Sequence, residues 1–293
     1  MGLITMLNIL VTGAGGQLGS EIQELSVDYP YSFHFTDSDT LDIINEEAIK
    51  KFITHNNINT IINCAAYTAV DKAESDEINA DLVNHIAVRY LAQIAKEKEI
   101  KLVHISTDYV FDGTNYKPYI ETDATNPQSV YGQTKLDGEN TMLEINPKNS
   151  LIIRTSWVYS SYGANFVKTM LRLGKEKESL NVIYDQVGTP TYARDLAKAI
   201  LDILPQTNNE KVEIYNYSNE GVLSWYDFAK EIMKMAKLPC IINPIETKEY
   251  PTPALRPHYS LLNKSKIKKA FNLEIPYWKE SLRACLEKIG EKR

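Results

Sequence analysis

The stretch Leu10-Val11-Thr12-Gly13-Ala14-Gly15-Gly16-Gln17-Leu18-Gly19 joins an apolar run to a segment with helical spacing. Its glycines allow a tight turn and a close approach of the backbone to a ligand. A diphosphate would then lie on the unpaired N–H groups at the positive end of the following helix. The spacing G-x-x-G-x-x-G after a first strand predicts a dinucleotide-binding loop. The residues expected to contact the cofactor here are Gly13, Gly16, Gln17, Leu18 and Gly19.

Short apolar runs alternate with segments of helical spacing through the first half of the chain. The runs cover residues 7–12, 33–37, 60–65, 101–106 and 151–157. The helical segments cover residues 17–26, 45–55, 79–96 and 129–145. Repeated strand–helix units predict an α/β fold with a doubly wound, Rossmann-like parallel sheet. Further strands are expected at residues 181–185 and 212–217. We expect this domain over residues 6–158, its sheet completed by about 181–217, and a smaller C-terminal α/β substrate-binding region over 159–293.

The composition limits the possible partners and the location. The chain has 293 residues and a net charge of −6, which argues against nucleic acid or an anionic membrane as a partner. No apolar run is long enough to span a bilayer, and the first one lacks the basic flank of a signal peptide. Three widely spaced cysteines predict neither a disulfide framework nor a thiolate metal site, so we expect a reducing, cytoplasmic location. Residues 1–5 are expected to be an upstream start.

The adenosine end of the predicted cofactor site follows the second strand. Asp37 stands where an acidic residue could accept a hydrogen bond from a ribose hydroxyl, although it could equally cap a helix. Residues 36–40 contain no Lys or Arg to meet a 2′-phosphate, which favours NADH or tolerance of both NADH and NADPH. Asp42 and Ile43 would flank the adenine, unless they form a surface turn.

Two further strand ends carry candidate ligand contacts. The small residues Ala65 and Ala66, followed by Tyr67, suit a backbone lying against a flat cofactor, with a well-packed strand end as the alternative. The run Thr107-Asp108-Tyr109 places polar side chains at the same edge of the sheet, where ligands bind. Thr107 could donate a hydrogen bond to a carbonyl oxygen that becomes an alkoxide, or it could cap the next turn.

Tyr131 and Lys135 lie one helical turn apart on the same face of a predicted helix. A cation beside a phenol favours the phenolate and lowers the pKa of the phenol, which makes a proton donor. Such pairs also occur by chance on solvated helix faces. With Thr107 at the same sheet edge, a hydroxyl, a phenol and an ammonium are expected to converge into a catalytic set.

This set beside the glycine loop resembles the extended short-chain dehydrogenase/reductase superfamily. Longer segments resemble the dTDP-4-dehydrorhamnose reductase family from Met6 almost to the end of the chain. They include Ser-Thr-Asp-Tyr-Val-Phe-Asp-Gly (106–113), Val-Tyr-Gly-Gln-Thr-Lys-Leu-Asp-Gly-Glu (130–139), Asp-Gln-Val-Gly-Thr-Pro-Thr (185–191) and the segments 63–74, 154–159, 165–170 and 250–257.

The resemblance implies reduction of the C4 keto group of dTDP-4-dehydro-L-rhamnose by NADPH or NADH. It implies Tyr131 as proton donor, Lys135 as its partner on the nicotinamide ribose, and Thr107 with Asp108 around the reacting sugar. It also places Val70, Asp71 and Lys72 near the nicotinamide or the sugar, although a solvated helix start is the alternative. The expected contacts with the dTDP-sugar are Thr107, Asp108, Tyr109, Tyr131, Trp157, Gln186 and Arg256. Trp157 would form an apolar wall and Arg256 would bind the diphosphate, although either could instead be a packing or surface residue.

One departure from the family concerns metal. Some members are described as Mg-linked dimers held by three glutamates, and Glu21 matches the first of them. The other two positions align with Arg194 and Lys288, which cannot ligate a divalent cation. We therefore expect no metal site, doubt a structural Mg, and expect a monomer or a weak homodimer.

Two other functions remain open at this level. The regulatory subunit of methionine adenosyltransferase resembles the same fold without established catalysis of its own, but the intact Thr107, Tyr131 and Lys135 argue against a pure binding role. A sugar-nucleotide epimerase or dehydratase of the superfamily would keep the cofactor. A dehydratase generally has an Asp-Glu pair after the catalytic Thr, and this chain has Asp108-Tyr109.

Overall fold

The computed structural model describes residues 6–291, so the expectation for residues 1–5 lies outside the described residues. The strands are β1 (Asn8–Thr12), β2 (Ser32–Thr36), β3 (Thr60–Asn63), β4 (Lys101–Thr107), β5 (Leu151–Thr155), β6 (Val158–Tyr159), β7 (Ser179–Ile183), β8 (Val187–Gly188), β9 (Thr191–Tyr192), β10 (Glu213–Asn216), β11 (Leu223–Ser224) and β12 (Ile241–Ile245). The helices are α1 (Gln17–Leu25), α2 (Glu46–His55), α3 (Val70–Ala73), α4 (Glu77–Asp81), α5 (Ala87–Glu97), α6 (Val130–Ile145), α7 (Phe166–Glu176), α8 (Ala193–Ile203), α9 (Trp225–Met235), α10 (Ser265–Phe271) and α11 (Trp278–Glu291). Across residues 6–291, none of these helices has the length and apolar character needed to cross a lipid bilayer.

A parallel sheet of six strands forms the centre of the molecule, in the order β10-β5-β4-β3-β1-β2. β1 pairs with β2 on one side and with β3 on the other, so the direction of strand addition reverses beside β1. The strands β3 and β5 are buried along their whole length, as expected when helices cover both faces. The predicted doubly wound α/β fold is confirmed, and its strands end at one common edge.

Alternate residues of β1 enter two different hydrophobic cores. Ile9 and Val11 pack on the face that α1 and α8 cover. Leu10 points to the opposite face and packs with residues of α2 and α5. Burial of each such side chain contributes roughly 1.5–3 kcal/mol, so a shift of one residue in strand register would be strongly unfavourable.

A third core lies among α7, α9, α11, β7 and β12 and forms the smaller C-terminal region. β10 joins the main sheet beside β5, as the range 181–217 suggested. The expectation is wrong for residues 181–185, because β7 pairs with β12 in a separate two-stranded sheet. Exposed and partly buried residues alternate at the start of β7, which is typical of a strand covered on one face. The domain boundary at residue 158 stays a prediction. Helix α8 and strand β10 follow this residue in the chain, but α8 packs on the main sheet and β10 is part of it.

The helical segment predicted over residues 79–96 extends from Glu77 to Glu97 and contains a π-helical turn at Leu82–Ile86. This turn carries Asn84, whose side chain holds the segment that follows β3. Its Oδ1 accepts a hydrogen bond from the Tyr67 N–H at 2.9 Å, and its Nδ2 donates to the Tyr67 carbonyl at 3.1 Å. The same Nδ2 donates to Thr134 Oγ1 at 3.1 Å, which ties this segment to α6.

Helix α6 packs against this π-helical turn through Gly138, where an added Cβ would lie 2.2 Å from the backbone oxygen of Asn84. We expect Gly138→Ala to lower the free energy of unfolding by about 1–3 kcal/mol, because one of the two elements must shift. Gly290 in α11 is the matched control, since its Cβ would meet no described atom within 4 Å. Gly290→Ala should stabilise by up to ~1 kcal/mol through helix propensity. Urea unfolding of both variants checks this, and equal stabilities would contradict it.

Candidate active site

The glycine loop joins β1 to α1 and leaves its backbone accessible. Gly13 has a φ of +65°, and an added Cβ would lie 2.7 Å from the Cα of Ala65. At Gly19, an added Cβ would lie 2.4 Å from the carbonyl oxygen of Gly13. Gly16 is the N-cap of α1, and because it has no side chain it cannot cap the N–H groups of the first turn. This geometry fits a diphosphate at the start of α1.

The side chains of the next two predicted contacts are already engaged. Gln17 Oε1 accepts a hydrogen bond from Asn165 Nδ2 at 3.0 Å. Leu18 is buried in the core between the sheet and α8. Both residues can therefore contribute their backbone N–H groups to a cofactor, while their side chains support the loop.

The predicted adenosine contacts lie at the end of β2 and in the loop that follows. Asp37 is exposed, and its Oδ1 accepts from the N–H groups of Asp39 and Thr40 at 3.1 and 3.3 Å. Asp42 Oδ1 accepts from the Ile44 N–H at 3.1 Å in a surface turn. The side chain of Ile43 points into the core, so its backbone is the part that could face an adenine. The carboxylate of Asp37 thus fixes its own turn and still faces solvent.

The segment after β3 lies beside the glycine loop, as the small residues predict. Ala65 makes the close approach to Gly13, and Ala66 follows it half-buried. Tyr67 turns its side chain away, because its hydroxyl donates to Asp76 Oδ2 at 2.9 Å. The backbone of Ala65 and Ala66, and not the ring of Tyr67, therefore faces the space above the loop.

Thr107, Tyr131 and Lys135 converge at the end of β4. Ser129 begins α6 as its N-cap, accepting from the Gly132 N–H at 3.1 Å, and Tyr131 lies in the first turn. Thr107 donates to Asp108 Oδ1 at 3.0 Å, and its hydroxyl lies beside the hydroxyl of Tyr131. Lys135 is buried and donates to the carbonyl oxygen of Ile105 at 2.6 Å. The three residues meet at the ligand edge of the sheet.

The expected effect of Lys135 on Tyr131 is wrong for this arrangement. Burial raises the pKa of Tyr131 to about 12, and the neighbouring Thr107 hydroxyl opposes this shift because it can donate to a phenolate. Burial lowers the pKa of Lys135 to about 8, against the opposing charge of Glu139. The reason is geometric, since the amine of Lys135 is directed at the carbonyl of Ile105 and not at the phenol. Tyr131 is therefore protonated at neutral pH.

Asp108 and Tyr109 follow Thr107 in a short 3-10 turn. Asp108 is buried, and burial raises its pKa to about 7. The hydroxyls of Thr107 and Ser260 face this carboxyl group and oppose the shift. The ring of Tyr109 lies edge-on to Tyr131 with 5.5 Å between the centroids. This edge of the sheet thus holds a carboxyl group that can carry a proton near neutral pH.

Trp157 lies between two parts of the C-terminal region. Its φ of +49° is unusual for a residue with a side chain. The indole stacks on Trp225 with 3.7 Å between the ring centroids, and an added Cβ at Gly188 would lie 3.0 Å from it. Trp157 therefore forms a rigid apolar surface, and its stacking partner Trp225 carries no local signal in the sequence.

Arg256 binds Asp71 through two hydrogen bonds of 2.7 and 2.9 Å. This pair connects the segment after β12 to α3, so the guanidinium predicted for a diphosphate is bound to a carboxylate. The pair lowers the pKa of Asp71. Val70 precedes it half-buried, and Lys72 forms an ion pair with Asp76 at 3.4 Å.

A cavity of about 410 Å³ opens between residues 109–114 and 247–258, and Tyr109 and Arg256 line it. Gln186 is buried near this segment, and its Nε2 donates to Thr247 Oγ1 at 3.2 Å, where Thr247 also lines the cavity. Of the predicted substrate contacts, the structure thus groups Thr107, Asp108, Tyr109 and Tyr131 at the sheet edge. Gln186 supports the far wall of the cavity, and Arg256 forms part of it.

Glu21 lies in α1 and is fully buried. Lys288 Nζ lies 2.6 Å from Glu21 Oε2, Arg194 Nη1 lies 3.4 Å from it, and Ser160 donates to Oε1 at 2.6 Å. Both cations also contact Glu24, at 2.8 and 2.7 Å. Arg194 and Lys288 thus neutralise the carboxylates on α1. Among the described residues, no cluster of three or more His, Cys, Asp or Glu could hold a metal ion.

Several known proteins are similar to this chain over nearly its whole length. The family described as the RmlD substrate binding domain matches residues 7–290. A dTDP-4-dehydrorhamnose reductase of Aggregatibacter actinomycetemcomitans is 42% identical over 288 residues, covering 95% of this chain and 98% of the relative. A crystal structure of a Clostridium acetobutylicum dTDP-4-dehydrorhamnose reductase superposes with a TM-score of 0.92 at 42% identity, covering 97% of this chain and 100% of that one.

A second crystal structure, a dTDP-4-dehydrorhamnose reductase of Bacillus anthracis in complex with NADP, also gives a TM-score of 0.92, at 37% identity with 97% and 100% coverage. The fold and these matches define an NAD(P)H-dependent oxidoreductase of the extended short-chain dehydrogenase/reductase superfamily. The matches span both the sheet and the C-terminal region. Within the superfamily, the chain belongs to the dTDP-4-dehydrorhamnose reductase family.

The raised pKa of Asp108 predicts a pH-dependent stability. A carboxyl with a higher pKa in the folded state than its ordinary value of 3.8 stabilises the fold below that value, and this contribution is lost as the pH rises towards about 7. Relative to the parent, Asp108→Asn should therefore gain roughly 2–4 kcal/mol of stability between pH 4 and pH 8. Urea unfolding at both pH values checks this, with the exposed Asp39→Asn as control. A pH-independent difference for Asp108→Asn would contradict it.

Proposed function

We propose that this chain reduces the C4 keto group of dTDP-4-dehydro-L-rhamnose to give dTDP-L-rhamnose, in the biosynthesis of that sugar donor. The observation that carries this is Tyr131, a protonated phenol held against Thr107 at the ligand edge of the sheet. The family supports the sugar nucleotide, because the relatives it matches over nearly their whole length are named for this reaction.

The residues present fit a nicotinamide dinucleotide. The loop at Gly13, Gly16 and Gly19 would hold the diphosphate, and Asp37 would accept from the adenosine ribose. Lys135 lies beneath the carboxyl end of β4, where it would reach the nicotinamide ribose. When bound, the reduced nicotinamide supplies the hydride. We propose NADPH or NADH as the donor; the NADP complex of the B. anthracis relative supports the first, and the absence of Lys or Arg in residues 36–40 supports the second.

Tyr131 would supply the proton. As hydride reaches C4, the electron pair of the carbonyl bond moves to oxygen, and the resulting alkoxide takes the phenolic proton and leaves a phenolate on Tyr131. A phenol with a pKa of about 12 keeps its proton until such a strong base forms, which favours reduction over oxidation. The hydroxyl of Thr107 can then hydrogen-bond to the phenolate, or to the carbonyl oxygen before transfer.

The substrate would extend from Tyr131 into the cavity beside Tyr109. Trp157 offers an apolar face to a sugar or base, and Gln186 supports the cavity wall. Arg256 could reach a diphosphate by exchanging the carboxylate of Asp71 for the phosphate oxygens, which also accept hydrogen bonds in pairs. We propose Thr107, Asp108, Tyr109, Tyr131, Trp157, Gln186 and Arg256 as the contacts with the dTDP-sugar.

The reaction can be tested directly with dTDP-4-dehydro-L-rhamnose supplied by coupled enzymes. We expect consumption of NADPH or NADH, followed by the absorbance of the reduced nicotinamide. Tyr131→Phe should lower kcat by ~10²–10⁴-fold because the general acid is lost. Tyr90→Phe is the control, because Tyr90 loses the same hydroxyl group but lies on α5 and packs against the core on the opposite face of the sheet. The two cofactors are compared in the same assay.

The outcomes separate the competing functions. Cofactor binding without turnover would favour a regulatory binding subunit of the same fold. Turnover that Tyr131→Phe leaves intact would contradict the proposed proton donor. Consumption of the substrate without oxidation of the nicotinamide would indicate an epimerase or a dehydratase.

We also propose that the chain needs no Mg and is a monomer or weak homodimer, in the cytoplasm. The charges of Lys288 and Arg194 on Glu21 support this, since they provide the neutralisation that a cation would supply. The mass from light scattering should therefore be the same with and without excess EDTA. A dimer that chelator abolishes would contradict the proposal, and Mg added back is the control.

A further inference from the structure

A chain of buried polar side chains crosses three strands of the sheet and ends at Lys135. Thr12 Oγ1 donates to Asn63 Oδ1 at 2.6 Å, and Asn63 Nδ2 lies 3.0 Å from His104 Nδ1. His104 Nε2 lies 3.3 Å from Lys135 Nζ. All four residues are at most 1% exposed. Buried polar groups are costly unless each has a partner, so this chain constrains every member.

The chain begins directly beneath the glycine loop. Thr12 is the last residue of β1 and precedes Gly13, and Asn63 is its register neighbour at the end of β3. His104 is the register neighbour of Asn63 on β4. The parallel sheet thus places three polar side chains side by side, and α6 brings Lys135 to the end of the row.

The hydrogen-bond directions along this chain depend on the charge of Lys135. Burial, followed by the charge of Lys135, holds the pKa of His104 well below its ordinary range, so its ring is neutral and carries one proton. Where Asn63 Nδ2 donates to Nδ1, that proton is on Nε2 and faces Lys135, whose nitrogen must then accept as a neutral amine. Where Lys135 is an ammonium, it donates to Nε2, and the ring proton must be on Nδ1. The Asn63 amide is then turned, with Oδ1 towards His104 and Nδ2 towards Thr12.

The other charged groups near Lys135 form a buried ion pair. Glu139 lies one turn further along α6 and favours the ammonium. Its carboxylate is itself bound by Arg154 of β5 at 2.6 Å, and both side chains are buried. Lys135 also donates to the carbonyl of Ile105, which it can do in either charge state. His104 is the member of this surrounding set whose proton can change position.

We propose that His104 is a positioning residue for Lys135: it holds the amine at the end of β4 and, through Asn63 and Thr12, couples the charge of Lys135 to the hydrogen-bond direction beneath the glycine loop. No bond to carbon forms or breaks in this step. The ring proton leaves one nitrogen of His104 as the other gains one, and the net proton is gained or lost at Lys135. The proposal rests on the proposed role of Lys135 beside the nicotinamide ribose.

Nitrogen NMR of the ring tests this without cofactor or sugar. In protein labelled with ¹⁵N-histidine, the His104 signals are assigned by comparison with His104→Gln. From about pH 6 to about pH 10, the protonated nitrogen should change from Nδ1 to Nε2 as Lys135 titrates. In Lys135→Met the ring should keep one tautomer throughout. One tautomer across this range in the parent, or a change that persists in Lys135→Met, would overturn the proposal.

Matched substitutions in the sheet distinguish the effect of this row of hydrogen bonds from the effect of general packing. Thr12→Val should move the pH of the tautomer change, because it removes the partner of Asn63. Thr36→Val is the control, since Thr36 is the buried register neighbour of Thr12 on β2 and bonds the carbonyl of Val11 at 3.3 Å. If both substitutions move the pH of the tautomer change equally, the proposed coupling through Asn63 is contradicted.

Cofactor affinity as a function of pH gives a second readout. In His104→Phe, the ammonium form of Lys135 loses a hydrogen-bond acceptor, and its neutral form loses a hydrogen-bond donor. The first loss costs more free energy, because the hydrogen bond from an ammonium is charge-assisted. The midpoint of the pH dependence of NADPH binding, followed by nucleotide fluorescence, should fall by roughly 1 pH unit, and His104→Gln should restore most of it. A variant with a lower Tm but an unchanged midpoint would mean a structural role alone. If the parent binds NADPH but does not reduce the sugar, the proposed function fails while these titrations still decide the role of His104.

Discussion

The close approach of Gly13 to Ala65 is the constraint on which the site depends. A left-handed backbone at Gly13 and the absence of a Cβ let the ends of β1 and β3 come together over the start of α1. The same approach sets Thr12 against Asn63 and begins the buried row that ends at Lys135. A larger residue at position 13 would therefore disturb both the predicted diphosphate-binding loop and the surroundings of Lys135.

Much of the fold and the membership of the site could be predicted from the sequence, because both depend on local patterns. Strand runs separated by helical spacing specify a doubly wound sheet, and such a sheet brings Thr107 and Tyr131 to one edge. The chemical state of Tyr131 could not be predicted in this way, since it depends on burial and on where the amine of Lys135 points. The partners of Arg256 and Trp157 are distant in sequence, so their contacts with Asp71 and Trp225 had no local signal.

His104 and Asn63 show a more specific limit. Both lie in apolar runs that identify β4 and β3, and polar residues there are easily taken for ordinary strand ends. Their partnership follows from parallel register, which aligns Asn63 with His104 only after β3 and β4 are known to be neighbours. Strand β7 shows a different limit. The sequence predicts a strand here but assigns it to the main sheet, because the covering of only one face of the strand is not visible in the sequence.

The π-helical turn at Leu82–Ile86 has a consequence for how the segment after β3 is held. Asn84 donates to and accepts from the backbone of one residue, Tyr67, and so makes the two hydrogen bonds that a neighbouring strand would make. A single side chain thereby substitutes for a strand at a place where the sheet has already ended. One residue fewer in this turn would leave a regular helix, yet it would rotate Asn84 by about 100° around the axis. Helical content would then be a poor guide to the integrity of this region, because the wall beside the glycine loop could be lost from a chain whose helices are all intact.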